Sequence, residues 1–330
     1  MEKVLVIRYG TIGDTIFASA FYRELRKNLP NSQIDALVDS IAEGIMRDCP
    51  YVNNLIPLRG KYLDFFYYFN LFRQYDTIFF LKNDNFLSKT AFIAGVKNRI
   101  GFDVKRNFML TKTAPYNNDK HEIDFYLDLL KICDFTAEEN HTEIWTGENN
   151  NPEIEKLLQM SNKKIILHAS SRIPQKNWIP EHWAKVLDYL VNTLQAQVIF
   201  VGGNKDSEYY DNILNLTFDL NLEPINLCGK LSISDTLYLV KNADFMIGID
   251  SGIIHMAAGA GIPSILLNGP TSLLRWKPRS EKCSVISKDF ECSPCVFASS
   301  RNKRCRNKES ECMRAINPDE VISAIWEKFC

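Results

Sequence analysis

The sequence predicts an α/β protein made of two doubly wound parallel-sheet domains that face each other across a cleft. Three observations predict it. At 330 residues the chain has room for two domains of ~150 residues each. Short β-branched runs alternate with amphipathic helical stretches from the first residues onward, the pattern of parallel strands joined by crossover helices. The alternation breaks at 146–152 (TGENNNP), a polar stretch with almost no apolar residue, and then resumes. The break divides the chain into residues 1–148 and 149–316, followed by a C-terminal helix at 317–330.

In the first half, 4–7, 34–38, 54–57 and 77–81 read as strands, each a short apolar run bounded by polar or turn residues. Helices are expected at 14–29, 40–48, 61–74 and 121–134. In the second half the expected strands are 164–168, 197–201, 244–249 and 263–267, and the helices 180–195, 206–217 and 252–260. The last segment, NPDEVISAIWEKF, places Asn317 as an N-cap and Pro318 at the first helical position. No short-period repeat is present; the halves share a plan and not a sequence. Ligands of such sheets sit at the carboxyl ends of the strands.

Composition excludes several classes. An apolar share of 45% and a charged share of 24% suit a packed core in each half and exclude disorder. Thirty-nine basic against forty acidic residues leave a net charge of -1, so no overall field draws nucleic acid. The apolar run at 4–7 ends at Arg8, too short for a signal peptide, and nothing approaches the ~18 apolar residues of a membrane span. The expectation is a cytoplasmic protein. Its nine cysteines then indicate buried thiols or a metal site.

Three segments carry chemistry. The first strand leads into Arg8-Tyr9-Gly10-Thr11-Ile12-Gly13-Asp14, with a helix directly after. The spacing is G-x-x-G, whereas a nicotinamide-dependent dehydrogenase needs G-x-G-x-x-G and an acid about 20 residues on; Asp35 has that distance but lies mid-strand. Asp14 is either a helix N-cap or a carboxylate poised at the crevice. In the second half, strand 164–168 delivers Ser170-Ser171 and then Lys176-Asn177-Trp178. Hydroxyls, backbone N–H groups and an ammonium suit a bound diphosphate; the bland alternative is a solvated lysine. The third segment, IGIDSGIIHMAAGA, runs from strand through Asp250-Ser251-Gly252 into a helix whose N-terminal end favours anions. Asp250 and Ser251 are candidate caps. His255 either packs or stabilises charge.

Together these segments resemble the bacterial heptosyltransferases, glycosyltransferase family nine. The shared features, in order, are the G-D turn after the first strand, S-S-x(4)-K-x-W before a helix with His182 and Trp183, Gly202-Gly203, D-S-G-x-x-H, and a cysteine-rich tail with Cys312-Met313. The resemblance implies a GT-B fold of two Rossmann-like domains, the first for the acceptor and the second for the nucleotide sugar. It also implies an inverting sugar transfer without a catalytic metal and an ADP-heptose donor. Carried over, it makes Asp14 the general base and Lys176 the diphosphate lysine, these two being the catalytic pair. Donor binding falls to Thr11, Gly13, Ser170, Ser171, Lys176, Gly203, Asp206, Asp250, Ser251, Gly252 and His255, with Asp206 near the nucleoside. The chain departs from the family at Gly10-Thr11, Ala20 and Asp206, and has Leu81-Lys82-Asn83-Asp84 where an acidic acceptor-side stretch is usual. The chemistry agrees. A sugar hydroxyl needs a carboxylate to take its proton as it attacks, and the departing nucleoside diphosphate needs preorganised positive charge.

The expected acceptor is a bacterial glycan or glycolipid such as the lipopolysaccharide inner core, met by Arg59, Lys61, Arg99 and Arg106. Basic clusters at Lys97, Arg99, Lys105 and Arg106, and at Arg301, Lys303, Arg304, Arg306 and Lys308, either meet its anionic groups or are solvated loops. Residues 61–75 hold eight aromatics and form either a buried crossover helix or a surface for peripheral contact with the inner membrane. Within loop 291–314, Cys292, Cys295, Cys305 and Cys312 have the spacing C-x2-C-x9-C-x6-C. Four thiolates suit a structural zinc or iron ion, and the resemblance implies iron on a similar finger of relatives that glycosylate proteins; otherwise they pack as reduced thiols. The alternatives are a protein O-heptosyltransferase, a transferase of another sugar, and a nucleotide-sugar-binding module without catalysis.

Overall fold

A computed structural model describes residues 1–60, 64–104, 108–117, 119–296, 305 and 309–329. The chain forms two compact units, Met1–Trp145 and Thr146–Cys330. The division falls at the start of the polar stretch 146–152.

The first unit holds strands β1 (Lys3–Ile7), β2 (Gln33–Val38), β3 (Asn54–Pro57), β4 (Thr77–Phe80), β5 (Asn98–Asp103) and β6 (Lys112–Pro115), and helices α1 (Ile12–Asn28), α2 (Ser40–Met46), α3 (Phe65–Phe72), α4 (Asn85–Ile93) and α5 (Glu122–Lys131). Every pairing is parallel, in the order β3-β2-β1-β4-β5-β6. β1 is central, with Val4 paired to Ile34 on one side and Thr77 on the other. A strand buried on both faces must be apolar throughout, and Val4 to Ile7 are fully buried. Thr11 caps α1, and Arg26 and Lys27 close its last turn against the helix dipole. α1 buries Phe17 and Phe21.

The second unit repeats the plan with β7 (Lys164–His168), β8 (Gln197–Phe200), β9 (Ile225–Asn226), β10 (Phe245–Ile249), β11 (Ser264–Asn268) and β12 (Cys283–Ser287). Its helices are α6 (Pro152–Leu158), α7 (Pro180–Asp188), α8 (Ser207–Leu214), α9 (Ile233–Lys241), α10 (Gly252–Ala260), α11 (Leu273–Trp276), α12 (Glu311–Arg314) and α13 (Pro318–Phe329). The order β12-β11-β10-β7-β8-β9 is the first sheet's order with each strand replaced by its counterpart. α13 is part of this unit: Val321 and Ile325 join a core with Trp178, Trp183 and Phe200, and Asn317 Oδ1 accepts from the Asp319 N–H at 2.9 Å.

The α/β, doubly wound expectation holds, with differences in detail. α4, β5, β6, α6, β9, α9, α11, β12 and α12 lie outside the expected elements. β6 is a four-residue strand with one buried position, too polar for a periodicity signal. β5 carries Gly101, where an added Cβ would lie 3.0 Å from Leu110 Cδ1 and 3.3 Å from Phe80 Cβ; close packing requires the glycine that hides the strand. The helix expected at 180–195 passes into a π-helical turn at Tyr189–Thr193. α3 is shorter than 61–74, and residues 61–63 lie outside the described residues. It is buried along one side only: Tyr68 and Phe72 are inaccessible, and Phe66 is 75% exposed.

Candidate active site

In the first sheet β1 and β4 are neighbours from which the order runs in opposite directions. Loops leaving both strands at their carboxyl ends flank the point where doubly wound sheets bind ligands. Arg8 to Asp14 leave β1; Leu81 to Asp84 leave β4. Thr11, not Asp14, is the N-cap of α1: its Oγ1 accepts from the Asp14 N–H at 3.4 Å. Gly13 is buried in the first turn beside Asp14. Asp14 is thereby relieved of capping, and its Oδ2 pairs with Arg8 Nη2 at 2.7 Å. The Arg8 side chain is only 4% exposed and also donates to the Tyr9 carbonyl at 2.5 Å.

Burial alone would raise the Asp14 carboxyl. The charge of Arg8, hydrogen bonds from Thr11 and Arg8, and the charge of Lys82 outweigh it and hold the group below the usual carboxylate range. Gly10 makes room for this cluster. It has φ +131°, and an added Cβ would lie 3.2 Å from Lys82 Nζ. Its N–H donates to Asp39 Oδ2 at 2.9 Å. Lys82 Nζ sits 4.1 Å from the Tyr9 ring centroid. Asp84 accepts from the Tyr9 hydroxyl and caps α4 through the N–H groups of Phe86 and Leu87.

In the second sheet the order turns between β7 and β10. After β7, the Ser170 hydroxyl donates to Asp206 Oδ1 at 2.5 Å, and the Gly203 N–H donates to Asp206 Oδ2 at 2.6 Å. Asp206 therefore ties the loop after β7 to the loop after β8. Gly202 must lack a side chain there, since an added Cβ would lie 2.6 Å from Asp206 Oδ2. Ser171 is fixed by its N–H to Asn177 Oδ1 at 2.8 Å, and its hydroxyl accepts from the Ile173 N–H. That turn aims Lys176 at the end of β10, where Nζ reaches Asp250 Oδ2 at 2.7 Å and the Asp250 carbonyl at 3.1 Å.

Ser251, not Asp250, caps α10, accepting from the Ile253 N–H at 3.3 Å; Gly252 is the first residue of that helix. His255 Nε2 lies 3.8 Å from Asp250 Oδ1, and His255 is 4% exposed. Burial would raise the Asp250 carboxyl, but the adjacent His255 ring and the charge of Lys176 pull it far below its ordinary range. Lys176, Asp250 and His255 are thus one cluster at the N-terminal end of α10.

The structure separates the acceptor candidates. Arg59 follows β3 at the carboxyl edge, its guanidinium stacked 4.0 Å from the Tyr67 ring centroid. Arg99 lies elsewhere. It is paired with Ile78 at the amino end of the sheet, the edge away from Asp14, and its guanidinium donates to the Met109 carbonyl at 2.6 Å and to that of Val96. Lys61 and Arg106 lie outside the described residues, as do Lys105, Arg301, Lys303, Arg304, Arg306 and Lys308. Asp35, the acid a dehydrogenase would need, is spent inside the first unit on Tyr75, Asn54 and Gln33.

Sequence reading missed Arg8, Lys82 and Asp84. A lone arginine closing an apolar run carries no signal, but Lys82 and Asp84 directly follow the strand beside β1, and the switch-point rule alone points to them. Among the described residues no group of three His, Cys, Asp or Glu is arranged to hold a metal, and no helix is long and apolar enough to cross a membrane.

The family model of glycosyltransferase family 9 (heptosyltransferase) matches residues 70–306. A lipooligosaccharide heptosyltransferase 2 of Haemophilus influenzae is 24% identical over 309 residues, covering 86% of this chain and 88% of that protein. A family 9 glycosyltransferase structure from Veillonella parvula superposes with a TM-score of 0.86 at 22% identity, covering 99% of this chain and 97% of that one. The structure of E. coli ADP-heptose lipopolysaccharide heptosyltransferase II gives 0.81 at 22%, covering 99% and 98%. The fold is of the GT-B class.

Proposed function

The chain belongs to glycosyltransferase family 9, and from that premise we propose that it transfers a heptosyl group from ADP-heptose to the inner core of a bacterial lipopolysaccharide, with inversion. Two of the relatives above are named as heptosyltransferases, one of lipooligosaccharide and one of ADP-heptose and lipopolysaccharide. The observation that carries the reading is the pair of charge arrangements at the two switch points: an ionised carboxylate in the first unit, and a lysine at a helix N-terminus in the second.

In this reading Asp14 takes the proton of the acceptor hydroxyl as its oxygen bonds to the anomeric carbon and the bond from that carbon to the diphosphate breaks. Held ionised by Arg8, it is ready to accept at neutral pH. The leaving ADP gains negative charge, which a preorganised site stabilises more than it does the ground state. Lys176 has three N–H donors; Asp250 takes two, which leaves one for a phosphate oxygen. The first-turn N–H groups of α10 add to it. Ser170 and Asp206 keep the loops after β7 and β8 in place for the nucleoside. Arg59 is the acceptor-side cation at the same edge as Asp14.

Calorimetry with ADP-, UDP- and GDP-sugars, followed by an assay of acceptor-dependent ADP release, tests it. ADP-heptose should bind and release ADP only with a core acceptor. Preference for a UDP- or GDP-sugar contradicts the donor, and donor binding without transfer to any core acceptor leaves a binding module.

A second reading concerns Cys292, Cys295, Cys305 and Cys312, taken as a structural zinc or iron site. It is supported by their spacing, C-x2-C-x9-C-x6-C, which supplies four thiols from one segment; in the structure, among the described residues, they are not arranged to hold an ion. A closed four-thiolate shell leaves no open position for catalysis. Elemental analysis of protein purified without chelator should find about one equivalent of metal; none would contradict it.

A further inference from the structure

Three charged atoms converge where Gly10, just past the carboxyl end of β1, lacks a side chain. An added Cβ would lie 3.2 Å from Lys82 Nζ, 3.7 Å from Arg8 Nη1 and 4.0 Å from Asp14 Oδ2. Two cations and one carboxylate therefore border a single gap, and the two cations differ. The Arg8 side chain is buried and turned onto Asp14 and the Tyr9 carbonyl. Lys82 is only partly buried. Its ammonium is steered by two neutral groups of Tyr9, the ring centroid at 4.1 Å and the carbonyl oxygen at 3.4 Å. Tyr9 is itself fixed by its hydroxyl on Asp84. The neighbouring carboxylates are met by N–H groups: Asp39 takes those of Gly10 and Ala42, and Asp84 those of Phe86 and Leu87.

Asp14 does not need Lys82 in order to be ionised, because Arg8 already pairs with it at 2.7 Å. A second cation lowers the hold of Asp14 on a proton further, which weakens it as a base. An ammonium fixed in that place suits a negative charge that arrives with the substrate. We propose that Lys82 binds an anionic group of the acceptor, a carboxylate or a phosphate carried beside the reacting hydroxyl, and so selects acidic sugars over neutral ones. The inference rests on Asp14 being the base that receives the acceptor. The gap above Gly10 is narrow, so the anionic group and the hydroxyl belong to one sugar residue or to two that are directly linked.

The test uses the full chain, ADP-heptose and a lipid-free core oligosaccharide in three forms: intact, with its carboxylates converted to methyl esters, and with its phosphates removed. Oligosaccharide binding is read by calorimetry and transfer by ADP release. One of the two treatments should weaken binding and raise KM about tenfold, and that treatment identifies the group. Lys82→Met should do the same to the intact oligosaccharide and make the treatment nearly without further effect. Lys82→Arg should restore the preference, and Lys89→Met, exposed on α4, should keep it. A Lys82 that only tunes Asp14 predicts something else: Lys82→Met would move the acid limb of turnover alike for all three forms and leave their ranking, which would overturn the proposal. Equal binding of the three forms by the unaltered chain would overturn it too. Binding that depends on Lys82 without any ADP release would uphold the subsite and contradict the transfer reading instead, and no binding of any form would contradict both.

Discussion

Arg8 is a buried charge at the end of an apolar strand, and such a charge persists only where a partner compensates it. Asp14 is that partner at 2.7 Å, and the pairing works in both directions. Because the folded state holds the Asp14 carboxyl below its ordinary value, its contribution to stability is present above the unfolded value near 4 and is lost as pH falls through the lowered folded value. The ionised form is also the one that accepts a proton, so the limb of turnover set by Asp14 should lie below the ordinary carboxylate range. Removing Arg8 leaves burial, which acts the other way. Arg8→Met should therefore move the acid limb of the rate profile to higher pH, and a limb that stays in place would show that Arg8 does not tune the base. Asp14 was legible because a glycine turn and a helix start bracket it. Arg8 was not, because nothing local distinguishes a pairing arginine from one that ends a strand. The position of Arg99 at the amino end of the sheet was hidden for the same reason: a basic cluster in sequence says nothing about which edge of a sheet it reaches.

The loops after β7, β8 and β10 act as one assembly, and two substitutions probe it separately. Asp206 accepts from Ser170 and Gly203; Asp206→Ala leaves the buried Ser170 hydroxyl without this acceptor, while water can meet the exposed Gly203 N–H, and should cost about 1 kcal/mol of stability. The urea midpoint should fall with it, and an unchanged midpoint would contradict the tie between the loops. Lys176→Ala removes the cation but keeps the α10 N-terminus, so ADP should bind more weakly and turnover should fall by about 10²-fold; unchanged affinity and rate would return Lys176 to the surface lysines. Long apolar strands and capped helices of this unit were readable from sequence, β7 and α10 to the residue. Short edge strands such as β6 and β9 were not, because their order comes from pairing with a neighbour more than from their own side chains.

At the scale of the whole chain, two sheets with one strand order place candidate base and candidate donor residues in different units. The repeated alternation made that plan visible, while the sequence halves themselves show no likeness to announce it. A fragment of residues 146–330, which has its own core, should bind ADP, and residues 1–145 alone should not; the reverse result would exchange the roles of the units. The most direct measurement compares Asp14→Asn with the unaltered chain for melting temperature, ADP-heptose affinity and turnover per folded molecule. Asparagine keeps an oxygen for Arg8 but loses the charge, so the fold should weaken by about 1–3 kcal/mol and still form. Donor affinity, a property of the second unit, should hold, and turnover should fall by about 10²- to 10⁴-fold. A folded variant that binds donor and transfers at the original rate would contradict the account.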